Sequence, residues 1–258
     1  MSNKVSGVLV LCPSYGPMNL PTVRTLLELQ SEGATILLTN ALADVSLSRC
    51  ILAGAAEKYI TEHDEIEFVF WLDSDVWGNA DSVRALAQQI LDFELQGGVT
   101  ASMSGLYLSR HTTKMNRVAA HKLGQVDAIP IEGGPEGALL VPALCGMGAL
   151  MQTVDVFVKH CAESTRIYWP DREHTVPIVC CSGPVDAMKL SEYFAVAGNF
   201  EVNYWHGEDF DYCAREVDAG RPVFVAPIMF GHSSSRELTP VGDVVFPGFT
   251  DPGAQPAT

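Results

Sequence analysis

The sequence has few basic side chains, no CxxC pair and no long apolar run. Lysine and arginine together number 16 against 31 aspartates and glutamates, so the 258 residues carry a formal net charge of −15. A field of this sign repels polyanions, which argues against broad nucleic-acid binding and suits a protein that holds cations. The seven cysteines include no CxxC pair. This pattern favours reduced thiols in a cytoplasmic protein over disulfides or a zinc site.

The hydrophobic segments are too short for membrane targeting or insertion. The first apolar run, Val8–Cys12, is shorter than the core of a signal peptide. No run approaches the roughly 18 residues that would suggest a transmembrane helix. We therefore expect a cytoplasmic protein without a membrane anchor. The length suits one domain, expected over residues 1–235, followed by a C-terminal loop and flexible tail over 236–258.

Strand-like and helix-like segments alternate over the first hundred residues. Continuous apolar runs predict strands over 7–12, 35–39, 66–72 and 98–104. Helical periodicity predicts three helices between them, the third capped by Asp81. Such alternation predicts an α/β fold with a mostly parallel central sheet and helices on both faces. Ligands bind beyond the carboxyl ends of the strands in such sheets, so the residues directly after each strand are candidates for a site.

The second half is less regular. Residues 109–136 are interpreted as a partly helical crossover and loop, and residues 163–190 match no assignable pattern. A strand, a turn at Gly146–Gly148 and a helix are predicted in this order over 138–161. An acidic start and Gly220 at the end delimit a further helix from Glu208 onwards. The last predicted strand ends at Gly231–His232.

Two aspartates, Asp73 and Asp75, follow the most hydrophobic strand with Ser74 between them. Carboxylates held close together raise each other's pKa unless a cation lies beside them. Mg²⁺ and Mn²⁺ accept oxygen ligands and keep open positions for substrate phosphates. The position at the strand end favours a metal site, although an Asp-x-Asp sequence can also be a solvated turn.

Three later residues can reach the same edge of the sheet. His232 ends the last predicted strand and is either a third metal ligand or a structural hydrogen-bonding residue. Glu208 and Asp209 begin a helix, where they either offset the helix dipole or supply a general base. A helix N-terminus lowers the pKa of a carboxylate, which would make Asp209 a weaker base. A proton that is lost late in the reaction needs only a weak base.

Taken together, the order of these pieces resembles a nucleotide-sugar-dependent glycosyltransferase of the GT-A fold, DxD-containing and family 2-like or phage-type. The resemblance covers about residues 7–232. It rests on "VLCPSYG", "LSRC", "FWLDSDV", "GMGALM", "GEDFDYCAREVDAG" and "IMFGH". Each piece is weak alone, and their order and separation make the set specific. Cys50 departs from the family pattern, which often has Asn after the arginine of "LSRC".

The resemblance implies a role for each of these positions. Asp75 and His232 would bind the metal, and Asp73 would contact the ribose or the metal shell. Asp209 would be the catalytic base of an inverting enzyme, with Glu208 beside it. Arg49 would reach the nucleotide or steady the DxD. Donor contacts would come from Pro13, Ser14 and Tyr15 around the base, and from Ser74 and Gly146. The segment after His232 is predicted either to bring Arg236 to the diphosphate or to be a plain loop.

The predicted function is metal-dependent transfer of a sugar, from a UDP-sugar in first place, to an acceptor hydroxyl with Mn²⁺ or Mg²⁺. The acceptor is either a saccharide or the hydroxymethylated bases of phage DNA. The second alternative would place the enzyme in the host cytoplasm. Arg110, Lys114, Arg117 and Lys122 form the basic cluster that favours DNA, and the net charge opposes it. A nucleotidyltransferase and a catalytically dead binding module are the remaining alternatives.

Overall fold

The protein is described by a computed structural model over residues 5–14, 18–39, 44–95, 102–107, 117–122, 128–130, 143–168, 174–181, 183–184, 205–206 and 208–232. The helices in these ranges are α1 (Leu20–Ser31), α2 (Val45–Glu62), α3 (Ala80–Leu95), α4 (Val154–Glu163) and α5 (Glu208–Asp218). The strands are β1 (Val8–Cys12), β2 (Thr35–Leu38), β3 (Phe68–Leu72), β4 (Val76–Trp77), β5 (Ser102–Leu106), β6 (Arg117–Lys122), β7 (Ala128–Pro130), β8 (Ala143–Cys145), β9 (Ala149–Thr153), β10 (Arg166–Tyr168), β11 (Thr175–Pro177), β12 (Gly183–Pro184), β13 (Trp205–His206), β14 (Val223–Met229) and β15 (Gly231–His232). The candidate residues Tyr15 and Arg236 lie outside the described residues, as do Arg110, Lys114 and the segment 233–258.

A six-stranded sheet with the order β14-β5-β9-β3-β1-β2 forms the centre of the fold. Strand β1 pairs in parallel with both β2 and β3, and β14 pairs in parallel with β5. Strand β9 runs antiparallel to its neighbours β3 and β5. The carboxyl ends of the five parallel strands therefore meet at one edge of the sheet, which is where the candidate residues follow them.

Alternate residues of the central strands point to opposite faces of the sheet, and both faces are buried. Leu9 and Leu11 pack into one hydrophobic cluster with α2, α4 and α5. Val8 and Val10 pack into a second cluster with α1 and α3. Burial on both sides explains why these strands read as continuous apolar runs. The predicted Rossmann-like α/β fold, with a mostly parallel sheet and helices on both faces, is confirmed.

Strand β9 is the main element that the sequence does not reveal. The sequence predicts a helix directly after the turn at Gly146–Gly148, whereas Ala149–Thr153 form a strand between β3 and β5. This strand continues into α4 without a loop, because Thr153 ends the strand and is also the N-cap residue of the helix. When a short buried strand joins a helix directly, no turn residues between them mark where the strand ends and the helix begins.

Two smaller predictions are also wrong. Within the range 109–136, where partial helix is predicted, the described residues form β6 and β7, which join β8 in a three-stranded sheet. Helix α3 begins at Ala80, and Asn79 caps it by accepting a hydrogen bond from the backbone N–H of Ser82. Asp81 therefore lies in the first turn, where its negative charge interacts favourably with the positive end of the helix dipole.

Helix α5 is fixed near its C-terminal end by a buried ionic network. The Glu216 carboxylate is fully buried and lies 2.6 Å from His160 Nδ1 and 2.9 Å from a guanidinium nitrogen of Arg221. His160 Nε2 lies 2.8 Å from the carbonyl oxygen of Val179, so the network joins α5 to α4 and to the segment 174–181. Burial alone would raise the pKa of Glu216, but the hydrogen bonds from His160 and Arg221 hold it below its usual value.

We expect Glu216→Gln to lower the free energy of unfolding at pH 7 by about 3 kcal/mol, because Arg221 and His160 would lose a charged buried acceptor. A carboxylate with a depressed folded pKa stabilises the fold above its unfolded pKa, and this contribution is lost as the pH falls. The urea-unfolding difference between variant and wild type should therefore shrink below the ordinary pKa of 4.5. Glu163→Gln is the control, since Glu163 also binds Arg221 but is exposed. A large loss from the control would contradict the assignment.

Candidate active site

The DxD turn lies directly beyond β3 at the carboxyl edge of the sheet. The backbone N–H of Val76 donates to the carbonyl of Asp73, which closes a tight turn over Asp73–Asp75. Strand β4 follows and pairs antiparallel with β15, with His232 opposite Val76. This pairing brings together two parts of the chain that are far apart in sequence. It places the imidazole Nε2 of His232 3.7 Å from a carboxylate oxygen of Asp75.

Arg49 is the centre of the site. Its side chain is only 1% exposed and projects from the first turns of α2. One guanidinium nitrogen donates to Glu208 at 2.8 Å and to Asp209, and the other donates to both carboxylate oxygens of Asp73 at 2.9 and 3.2 Å. Burial alone would lower the pKa of Arg49, but Asp209, Asp73 and Glu208 raise it, so the group stays cationic. Arg49 thus joins the DxD to the acidic start of α5.

Negative charge exceeds positive charge around Arg49. Asp73, Asp75, Glu208 and Asp209 gather at this edge, and Arg49 binds three of them. Burial, followed by the charges of Glu208 and Asp73, raises the pKa of Asp209 from 3.8 to about 6, although Arg49 and the backbone N–H of Met147 act against the rise. The helix-dipole expectation of a lowered pKa is therefore wrong for Asp209. Desolvation and neighbouring carboxylates outweigh the helix N-terminus.

A tyrosine that the sequence analysis did not single out lies among these groups. Tyr107 directly follows β5, is buried, and accepts a hydrogen bond from the backbone N–H of Gly148 at 2.9 Å. Its ring meets the ring of His232 edge-on, with centroids 5.4 Å apart. Burial and the charges of Asp209 and Asp73 raise the pKa of the phenol well above its usual value. Its place shortly after the predicted strand end at 104 was the available signal.

The residues after β1 are placed at the same edge. Pro13 and Ser14 follow Cys12, and the backbone N–H of Ser14 donates to the Thr39 hydroxyl at 3.0 Å. This bond holds the ends of β1 and β2 together. Ser74 is buried inside the DxD turn, and Gly146 lies against Tyr107. The structure thus brings the described candidates to one edge of the sheet, while a direct contact with a nucleotide stays a prediction for each of them.

The predicted metal ligands do not all converge. Asp73 is turned towards Arg49, whereas Asp75 and His232 approach each other. Among the described residues no group of three or more His, Cys, Asp or Glu side chains could hold a metal ion by itself. One carboxylate and one imidazole still fit a hard divalent cation that takes its other ligands from water and substrate phosphates. The surplus of carboxylates at this edge favours such a cation.

Comparison with known proteins gives a limited result. No family model matches the chain, and no curated protein matches it. The solved structures with a partial likeness include A197 from STIV, which is 18% identical with a TM-score of 0.37 over 59% of this chain and 67% of that chain. They also include a glycosyltransferase involved in the glycosylation of the major capsid of PBCV-1, which is 9% identical with a TM-score of 0.33 over 59% of this chain and 62% of that chain. No helix of the described residues has the length and apolar character needed to cross a membrane.

Proposed function

We propose that this chain is a metal-dependent glycosyltransferase that moves a sugar from a nucleoside-diphosphate sugar, in first place a UDP-sugar, to an acceptor hydroxyl. The observation that carries the proposal is the contact of one buried arginine with the DxD and with the acidic start of α5. An inverting transfer needs one group for the leaving phosphate and another for the hydroxyl that attacks the same sugar carbon from the opposite side. The two halves of the site supply a group for each.

Asp209 is the residue we assign as general base of an inverting transfer. A base works best when its pKa lies near the operating pH, because it is then both ionised and basic enough to accept a proton. With a pKa of about 6, Asp209 meets both conditions at neutral pH. Arg49 holds the carboxylate at the helix start, and 29% of the Asp209 side chain is exposed.

Asp75 and His232 are the residues that would hold Mn²⁺ or Mg²⁺. When bound, such a cation stabilises the negative charge that develops on the departing diphosphate. Asp73 is fixed by both of its oxygens to Arg49, so its role in this proposal is to orient the turn and to meet the donor. The backbone of Pro13 and Ser14, tied to Thr39, would border the nucleotide base.

The reaction is tested by incubating the purified chain with Mn²⁺ and a panel of nucleotide sugars, without and with acceptors. The acceptors are simple saccharides and DNA that contains hydroxymethylated bases. Release of a free nucleoside diphosphate together with a labelled acceptor supports the proposal. Release of pyrophosphate from a nucleoside triphosphate and a sugar phosphate would point to a nucleotidyltransferase instead. Absence of nucleotide-sugar binding in calorimetry with Mn²⁺ present would overturn the assignment of a donor site.

We expect Asp75→Asn and His232→Gln each to weaken Mn²⁺ binding by about tenfold or more, because each removes one of few protein ligands. Titration followed by electron paramagnetic resonance measures the affinity without reference to turnover. Asp81→Asn is a matched control, since Asp81 is an exposed aspartate on α3 that pairs with Arg84. Equal Mn²⁺ affinity in all of these variants and the wild type would remove Asp75 and His232 from the metal site. Chelation with EDTA should abolish turnover in the wild type.

A further inference from the structure

The turn formed by Gly146, Met147 and Gly148, the glycine turn, contacts three groups of the site through its backbone. The backbone N–H of Met147 lies near enough to the Asp209 carboxylate to act against the rise of its pKa. The N–H of Gly148 donates to the Tyr107 hydroxyl, and the carbonyl of Gly148 accepts from the N–H of Asp73 at 3.1 Å. Backbone groups of adjacent residues therefore connect the assigned base with the DxD. A shift of this turn would move both.

The two glycines leave room for the Tyr107 hydroxyl. A Cβ atom built on Gly146 would lie 1.9 Å from the Tyr107 hydroxyl oxygen, and one built on Gly148 would lie 3.0 Å from it. Real Cβ atoms essentially never approach another atom to the first of these distances, so a larger residue at 146 requires Tyr107 to move. The glycine at 146 is thus explained by the close approach of Tyr107, whereas a Cβ at Gly148 would meet Val76 at 2.9 Å as well as Tyr107. This explanation does not require that Gly146 face the donor.

Tyr107 also contacts the other half of the site. Its ring packs edge-on against the imidazole of His232, whose Nε2 faces Asp75. Only 6% of Tyr107 is exposed, so its ring is held in place by the core around it. One side chain therefore meets the glycine turn through its hydroxyl and the histidine through its ring. The position of Asp209 would depend on the glycine turn, and the position of the cation would depend on His232.

We propose that Tyr107 is a positioning residue for the transfer reaction. Its hydroxyl fixes the glycine turn, which in turn orients Asp209 and Asp73, and its ring fixes the orientation of His232. This inference rests on the proposed function, because a positioning role needs a reaction to serve. Precise placement matters for rate, since displacements near 1 Å at a reacting centre cost up to about a hundredfold.

Tyr107→Phe removes only the hydroxyl and keeps the ring against His232. We expect kcat to fall about tenfold or more while KM for the donor changes less, because the loss acts on the orientation of Asp209 and Asp73. The Gly148 amide should exchange its hydrogen faster, as measured by NMR, because its acceptor is gone. The melting temperature should fall by only about 2–4 °C, the shift that a chain of this size shows for one lost hydrogen bond.

Tyr212→Phe is the matched control. Tyr212 is equally buried, and its hydroxyl bonds Gln152 rather than the glycine turn. It should lose a similar amount of stability without the fall in kcat or the change at Gly148. A second test is Gly146→Ala, which should impair both folding and turnover. Adding Tyr107→Phe should partly restore the Gly146→Ala protein, because the atom that a Cβ would meet first is then absent.

The outcomes separate the inference from the function it rests on. Unchanged exchange at Gly148 in Tyr107→Phe would overturn the hydrogen bond, and faster exchange with wild-type kcat would overturn the positioning role. Failure of Tyr107→Phe to improve Gly146→Ala would show that the hydroxyl does not shape the turn. If the wild type turns over no nucleotide sugar, the proposed function fails, and the exchange at Gly148 still decides whether Tyr107 holds the turn.

Discussion

Replacing Arg49 by Met should lower the free energy of unfolding at pH 8 by about 3–5 kcal/mol, the cost of breaking a buried ion pair by removing one partner. The substitution keeps a long side chain but leaves Asp73, Glu208 and Asp209 facing one another without their shared cation. Turnover should fall by about a hundredfold or more, since both the DxD and the assigned base lose their orientation. Urea unfolding and the donor-consumption assay measure the two effects.

The deficit of Arg49→Met should depend on pH in a defined direction. Arg49 acts to lower the pKa of Asp209, so removing it raises that pKa further above 3.8. An acid whose folded pKa is raised favours the fold at low pH, and this contribution is lost as the pH rises through the folded pKa. The variant should therefore be closer to the wild type at pH 5 than at pH 8. An equal deficit at both values would contradict the repulsion between the carboxylates.

Two further variants serve as a control and as a substitute for Arg49→Met. Arg166→Met is the matched control, because Arg166 also binds a carboxylate with two nitrogens but is 40% exposed. Loss of such a surface pair costs about 0–1 kcal/mol. Should Arg49→Met fail to fold, Arg49→Lys retains the charge while losing the forked geometry, and we expect intermediate stability and low turnover. Stability equal to wild type in both Arg49 variants would show that the buried contact is unimportant.

The fold could be predicted from the sequence because its pattern is local. The runs Val8–Cys12 and Phe68–Leu72 are apolar at every position, and the structure buries both of their faces. Helix α5 carries acidic residues at its start and Gly220, with φ of +74°, just past its end. Such signals need no tertiary information. Strand β9 lacked them, since its position between β3 and β5 is decided by pairing across the sheet.

The candidate site could be predicted only in part. Asp73 and Asp75 follow a predicted strand and His232 ends one, and the sheet topology does bring them to one edge. The orientation of Asp73 towards Arg49 rather than beside Asp75 depends on how α2 crosses the sheet, which no short segment encodes. Tyr107 was not predicted as a site residue, because an aromatic residue near the end of a strand usually belongs to the hydrophobic core. The raised pKa of Asp209 required the positions of Glu208 and Asp73, which lie far from each other in the chain.

Asp209→Asn should separate stability from activity. Turnover should fall by about 10²–10⁴-fold, the range expected when a general base is removed. With EDTA present, the free energy of unfolding at pH 8 should rise by about 1–3 kcal/mol, because the folded protein then no longer holds a carboxylate whose pKa is raised by burial and by its neighbours. Asn keeps an oxygen that can accept from Arg49. Gain in stability with loss of activity is typical of residues retained for chemistry.

The pH dependence provides the sharper test of Asp209. Its pKa rises from 3.8 to about 6 on folding, so in the wild type its contribution to stability is present below 3.8 and is lost as the pH rises through about 6. The stability difference between Asp209→Asn and wild type should therefore grow over that window and stay level above it. The wild-type kcat/KM should rise through the same region as Asp209 loses its proton. Glu208→Gln is the matched comparison at the adjacent position, since Glu208 shares the same arginine. If Glu208→Gln abolishes turnover and Asp209→Asn retains it, the two carboxylates must exchange their assigned roles.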